Sequence, residues 1–534
     1  MHLRSFLFFI DKNNSVLLKC FHKLHRISLL KRTKIALSQY RVQKKVLFGF
    51  LRRIIMSSIV GFMNNILYQP YIVPLFLIAV GIYFTIRTKA VQIRLFPEMF
   101  RVVMEKPEDE RGISSFGALM VSTASRVGTG NIIGVCTAIV LGGPGAIFWM
   151  WITAIFGGAN AFIESTLAQI YKKKADDGTF YGGPSYYMQN ALGQRWLGVL
   201  FSVLIIFTYA VGYNMLAAFN LQSTFATFSF YNEKSTPMVI GIILAVLFAV
   251  IVIGGAKRLT DVTGFLVPIM GIVYVVMSIV VLVINAKNFG AMFSLIFSTA
   301  FDFQAIFGGF TGSVIMWGLK RGLYSNEAGM GSAPNAAAKA DVAHPVKQGL
   351  VQTLSVFIDT LLICSATAFM CLSTVSVDPG SYVVDGSADA AGYVQTCLHT
   401  VLGGFGPIFI AISMSLFAFT TLIGNYSYCE GCFAFILKRD MTKTECLIFR
   451  IIATILVFLG AISSAGLVWD TADMFQGLMV VTNIPTIAIL GGTAVKCLKD
   501  YTDQKAAGKA PRFLAKNIGL DESKADCWKV GNKN

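Results

Sequence analysis

The chain has 534 residues, of which 55% are hydrophobic and only 14% charged, against roughly 25% charged for an ordinary soluble domain. That composition excludes a disordered chain, an array of nucleic-acid-binding modules and an ordinary water-soluble enzyme. The net charge of +17 is uneven: residues 1–55 hold thirteen basic residues and one acid, and residues 56–534 carry only +5, so no nucleic acid is expected as a partner.

The basic leader comes first. Its apolar pieces, such as Phe6–Ile10, are too short to cross a bilayer or to form a signal-peptide core. Eleven apolar segments follow, each long enough to span the hydrocarbon as a helix: 68–87, 115–140, 145–171, 196–229, 236–254, 262–285, 302–319, 347–374, 403–436, 446–465 and 472–496. The fold class is therefore an all-α polytopic membrane protein with eleven transmembrane helices. Lys and Arg concentrate in cytoplasmic loops. The odd-numbered loops hold twenty basic residues, Lys320 and Arg321 of the seventh among them, and the even ones only Lys234 and Lys287. This predicts cytoplasmic odd loops and a cytoplasmic C-terminal tail in a multi-pass protein of the cell membrane. It also puts the start of the first span outside, where the basic leader would violate the same rule. Met56, followed by Ser57 and Ser58, resolves the conflict as the working start, with residues 1–55 an upstream extension.

Two spans differ from plain apolar runs. The second contains Arg126-Val127-Gly128-Thr129-Gly130-Asn131-Ile132-Ile133-Gly134, and the seventh Gly308-Gly309-Phe310-Thr311-Gly312-Ser313. Each glycine weakens a helix by roughly 1 kcal/mol relative to alanine. Irregular backbone survives in a bilayer only where it is buried in protein or lines a cavity. Freed N–H groups suit a carboxylate, and freed carbonyls suit a small cation. Spans two and seven each begin a group of five, and interrupted helices at matching places in two halves point to a transporter site at an inverted-repeat interface. Close packing through small residues is the competing reading.

Arg126, Glu164, Asp359 and Glu430 fall within apolar spans, where charges face a cavity or a partner. Thr420 and Thr421 offer hydroxyls beside Gly424 and Asn425. Cys429-Glu430-Gly431-Cys432 has the spacing of a metal or redox pair but lacks a second pair, and the ten cysteines form no disulfide framework. No HExxH or GxxxxGK[ST] pattern occurs, so neither zinc-protease chemistry nor ATP-driven pumping is expected. The segment Ser325–Ala343 reads as a cytoplasmic loop, either an inner-gate element or a plain helical connector.

Four stretches resemble the alanine/glycine:cation symporter (sodium:alanine symporter) family: Ala124–Ile132, Gly142–Trp151, Gly182–Met188 and Lys320–Pro334. The resemblance runs from about Met56 to residue 500. It implies a leucine-transporter-type fold, with ten core helices in two inverted repeats of five and one extra N-terminal helix. The implied organisation is an extension over 1–55, the extra helix and its loop over 56–114, repeats over 115–287 and 288–498, and a tail over 499–534. The resemblance also implies uptake of a small neutral amino acid coupled to sodium, or in some members to protons, with no enzymatic activity. Thr129, Gly130 and Asn131 would meet the substrate carboxylate, and Thr311, Gly312 and Ser313 its ammonium and side chain. Sodium would take the carbonyls of Ala124 and Val127 with the hydroxyls of Thr420 and Thr421, an oxygen-only shell suited to a hard cation. Ala217 and Asn425 stand where the family commonly has Gln and Trp, which predicts a pocket tolerant of a longer polar amino acid such as asparagine or glutamine. A channel is the rival reading.

Overall fold

The computed structural model describes residues 58–68, 72–108, 112–175, 178–301, 314–384 and 386–529. The chain divides into residues 1–63, of which the described 58–63 are helical, and residues 64–534, which contain everything below. Nearly all of the second unit is helix. Its β-structure among the described residues is two short hairpins, Lys173–Lys174 with Phe180–Tyr181 and Val383–Val384 with Ser387–Ala388.

Nine helices among the described residues are long and apolar enough to cross a membrane, and ten spans result if the bent pair Ser115–Arg126 and Thr129–Gly142 is counted as one. These correspond to ten of the eleven expected segments. The other, 302–319, falls largely on residues 302–313, outside those described, and its remainder opens the helix Val314–Asn326. Lys320 and Arg321 are therefore not loop residues. Both lie inside that helix and pair with Asp473, at 2.6 Å from Lys320 Nζ and 3.2 Å from Arg321 Nη2. A count of apolar runs misplaces them because two adjacent charges look like the end of a span, whereas a buried partner on another helix keeps them within it.

The helices sort into two shells. In Pro345–Leu372, 72% of the apolar window is buried, against 28% in Lys443–Ala461 and in Arg258–Ile284. The outer helices expose Ile243, Phe265, Ile272 and Ile455, an apolar surface suited to lipid and unsuited to water. Small residues let the inner helices touch. A Cβ built on Gly424, in the helix Phe405–Leu437, would lie 2.5 Å from the Ser125 amide nitrogen, so only glycine allows this approach to Ser115–Arg126.

The last helix runs to Ala506, and the chain then folds back. The Phe513 N–H donates to the Ala343 carbonyl, and Trp528 Nε1–H to the carbonyl of Gln169. Glu98, on the short helix Phe96–Val103, receives hydrogen bonds from Arg101 on its own helix and from Tyr501 and Lys505 on the last one. Burial opposes ionisation of Glu98, but those three donors outweigh it and hold its carboxyl down at about 2, from an ordinary 4.5. A carboxyl depressed by folding stabilises the fold above its unfolded pKa and loses that contribution as pH falls through the folded one. The expected result is a thermal midpoint for Glu98→Gln below that of wild type at neutral pH. The gap should close as pH falls from about 4.5 to 2. A gap that stays constant across that window would contradict the assignment.

Candidate functional site

The half-helix Ser115–Arg126 begins at Ser114, whose hydroxyl accepts from the Gly117 N–H, and ends where Gly128 is fully extended at φ −141°, ψ −153°. Thr129–Asn131 form a single 3₁₀ turn, and a second half-helix runs over Ile133–Gly142, bent by 58° from the first. The Asn131 side chain stabilises the corner, its Oδ1 accepting from the Gly128 N–H at 2.8 Å. Ala124, Val127, Thr129, Gly130 and Asn131 are all buried. The expected interruption of span two is therefore present, with N–H groups at the start of one half-helix and carbonyls at the end of the other facing one corner.

Thr421 Oγ1 sits 1.9 Å from where a Cβ on Gly128 would be, so the hydroxyl lies directly against the bare backbone of the break. It is buried and has no hydrogen-bond partner among the described residues. The hydroxyl of the adjacent Thr420 donates to the Leu416 and Phe417 carbonyls of its own helix and faces Met270. On the other side, a Cβ on Gly130 would lie 2.6 Å from the ring of Tyr324. Tyr324 packs edge-on against Tyr213 and Trp469, with ring centroids 5.0 and 5.2 Å away. Thr129 Oγ1 accepts from Asn220 Nδ2 at 3.1 Å. Asn425 Nδ2 donates to Asn214 Oδ1 at 2.9 Å, and Asn425 Oδ1 accepts from Ser125 at 2.7 Å. Ala217 is buried midway between Asn214 and Asn220, on the same face of their helix. Asn214 Nδ2 and Asn220 Oδ1 are buried without partners among the described residues. Each such atom costs about 1–3 kcal/mol unless a ligand satisfies it.

The sodium:alanine symporter family model matches residues 53–515. The chain belongs to this family. It is 45% identical to the amino-acid carrier protein AlsT of Bacillus subtilis, over 85% of this chain and 94% of that protein. It is 42% identical to the probable sodium/glutamine symporter GlnT of the same organism, over 90% and 97%. Among solved structures it aligns with MhsT in complex with L-phenylalanine at 16% identity and a TM-score of 0.49, over 73% of this chain and 96% of that one. The chain is thus a membrane-embedded amino-acid symporter with sodium as its co-transported ion, and not an enzyme.

The charged residues of this symporter are arranged around the corner. Arg126 is buried; its Nη1 donates to the carbonyl and Oε1 of Gln352, and its Nε is 4.0 Å from Glu327 Oε2. Glu327 also accepts from Ser125 and Ser332. Glu164 accepts from the Gly329 N–H and from Asn483, and Asp359 from Asn131, Ser325 and Thr360. Arg126 is the cation that these three carboxylates share electrostatically. Glu430 pairs instead with Lys339, at 3.7 Å. The thiols of Cys429 and Cys432 contact the Asn425 carbonyl and Asn335, and no group of three metal-ligating side chains exists among the described residues.

Thr311, Gly312 and Ser313 lie outside the described residues. Further on, where the charge count predicts a cytoplasmic loop, the helix Val314–Asn326 ends in a buried turn. Before Pro334–Lys339 the backbone there has positive φ at Glu327 (55°), Gly329 (83°) and Gly331 (87°). Ser125 touches Glu327, so this turn meets the interruption. Sequence reasoning misses Tyr324 and Glu327 because their neighbourhood is too polar to read as a span. The available signal is Gly329 and Gly331, which repeat the spacing of Gly128 and Gly130.

Proposed function

We propose that this symporter imports a small neutral amino acid together with sodium by alternating access, with both bound at the corner of Gly128. Thr129, Gly130 and Asn131 meet the substrate carboxylate, and its side chain extends toward Tyr324, Ala217 and Asn425. Sodium takes the carbonyls of Ala124 and Val127 with the Thr421 hydroxyl. The Thr420 hydroxyl joins that shell through its oxygen, its proton being given to its own helix. Eleven spans in two inverted repeats of five behind one extra helix, with a cytoplasmic C-terminus, complete the architecture. The observation that carries the reading is the buried Thr421 hydroxyl, which lacks a hydrogen-bond partner among the described residues and lies against extended backbone. An oxygen left unsatisfied there suits a hard cation.

The substrate reading extends to longer polar amino acids. Ala217 leaves room beside two asparagines with unsatisfied amide atoms, and a 42%-identical relative is described as a probable sodium/glutamine symporter. Asn425 contributes less than its chemistry suggests, because Ser125 and Asn214 already engage its amide.

The test is uptake into proteoliposomes driven by sodium, lithium or a proton gradient, with alanine, glycine, asparagine and glutamine as competitors. Wild type should accumulate substrate saturably on a sodium gradient, and Thr421→Ala should raise the half-saturating sodium concentration by about tenfold or more, the effect of losing one charge-assisted contact. Asn131→Ala should lose uptake. Unaltered sodium dependence in Thr421→Ala would remove the cation site. Accumulation driven by protons alone would replace sodium coupling, and non-saturable flux would favour a channel. If only alanine and glycine compete, the extended pocket is refuted.

A further inference from the structure

Asp359 occupies the π-helical turn Phe357–Cys364 of the span Pro345–Leu372 and is fully buried. Such turns insert an extra residue into a helix and occur frequently at functional sites. Its Oδ1 accepts from Asn131 Nδ2 at 2.7 Å. Its Oδ2 accepts from Ser325 Oγ at 2.7 Å and from Thr360 Oγ1 at 2.8 Å. Asn131 belongs to the turn of the interruption, and Ser325 to the last turn of the helix Val314–Asn326, just before the buried turn at residues 327–331. One carboxylate on a third element therefore bridges the interruption and that helix end.

A carboxylate is a costly group for this task, since an amide could also bond neutral partners. Its advantage is that it only accepts hydrogen bonds. It obliges Asn131 to present its NH₂ group, and so to turn Oδ1 toward the Gly128 N–H. It likewise obliges the Ser325 and Thr360 hydroxyls to donate. An asparagine at this position could offer NH₂ to Asn131, which would then flip and leave the Gly128 N–H facing another donor.

We propose that Asp359 is a positioning residue for transport: it sets the orientation of the Asn131 amide at the Gly128 corner and carries displacement of that corner to Ser325 and the end of the helix Val314–Asn326. This rests on the corner being the binding site. The Cys364 thiol, 3.3 Å from Asn131 Nδ2 and 3.1 Å from Ser325 Oγ, closes the same cluster.

The test is a double-mutant cycle on Asn131 and Asp359, read as half-saturating sodium and maximal rate in proteoliposomes. Asp359→Asn should raise half-saturating sodium by about tenfold, and Asn131→Asp, which opposes two carboxylates, should lose uptake. The exchange N131D/D359N restores each polar pairing. The amide moved to the π-helical turn would donate to the carboxylate moved to the corner and would accept from both hydroxyls. That carboxylate would keep the Gly128 N–H. The exchanged protein should therefore recover the uptake that Asn131→Asp loses and need less sodium than Asp359→Asn. Wild-type sodium dependence in Asp359→Asn, or an exchange no better than the worse single variant, overturns the proposal. If Asp359→Asn does not fold, Ser325→Ala decides: a lower maximal rate at unchanged sodium requirement supports the bridge, and no change in either refutes it. Thr421→Ala separates the two levels. If it too leaves sodium dependence intact, the corner itself is not the site; if it alone abolishes that dependence, only the role of Asp359 fails.

Discussion

Gly128→Ala is expected to lower sodium-driven uptake about a hundredfold, the usual scale for displacing a reacting or binding group by about 1 Å, while the protein still folds. At φ −141° the backbone accepts alanine without strain, so the effect is steric and local. The added methyl would collide with Thr421 Oγ1 and lie 3.1 Å from Thr421 Cβ, tighter than an ordinary contact. Either the hydroxyl or the corner has to move. Gly134→Ala is the matched control. Its new Cβ would meet Tyr324 at 3.5 Å, an ordinary contact within a helix, and uptake should stay near that of wild type. Equal uptake by the two variants would show that contact between Gly128 and Thr421 is irrelevant to transport.

The second large effect is expected at Arg126. Replacing it by leucine removes the cation that Glu164, Glu327 and Asp359 share in the interior. Breaking a buried ion pair by deleting one partner costs about 3–5 kcal/mol, because the remaining charge is left without compensation. Arg126→Leu should therefore fold poorly, with a strongly lowered thermal midpoint. The double variant Arg126→Leu/Glu327→Leu should recover part of that loss, since it removes the carboxylate paired with the guanidinium, at 4.0 Å. A double variant less stable than Arg126→Leu would show that Glu327 is held by its hydroxyl donors rather than by the arginine. Glu327 also holds a left-handed backbone at φ 55°, a conformation costly for a non-glycine residue and concentrated at functional sites.

Much of this protein is legible in one dimension. A bilayer imposes a local rule, so runs of about 20 apolar residues mark spans whatever they pack against. Ten of the eleven expected segments correspond to helices of the fold. The first interruption is legible for a similar reason, because Gly128, Gly130 and Gly134 weaken a helix wherever it sits. Thr421 follows from resemblance and is found against the backbone of that corner, whereas the hydroxyl bond of its neighbour Thr420 to the Leu416 carbonyl is not legible in the sequence.

What apolar runs do not reveal is which charges and polar segments are buried together. Arg126 and Glu327 are remote in sequence, and their pairing exists only because Ser115–Arg126 and the turn after Val314–Asn326 are packed against each other. Lys320 and Arg321 look like loop residues until Asp473 is placed beside them. The segment from Ser325 to Ala343 is polar enough to suggest a surface loop, yet it is almost wholly buried, because Glu164, Gln169 and Asn483 of neighbouring helices supply hydrogen bonds that water would otherwise provide. Hydropathy measures the cost of exposing a residue to lipid. It carries no information about a partner that cancels that cost, and such partners, contributed from distant parts of the chain, were decided by the tertiary structure alone.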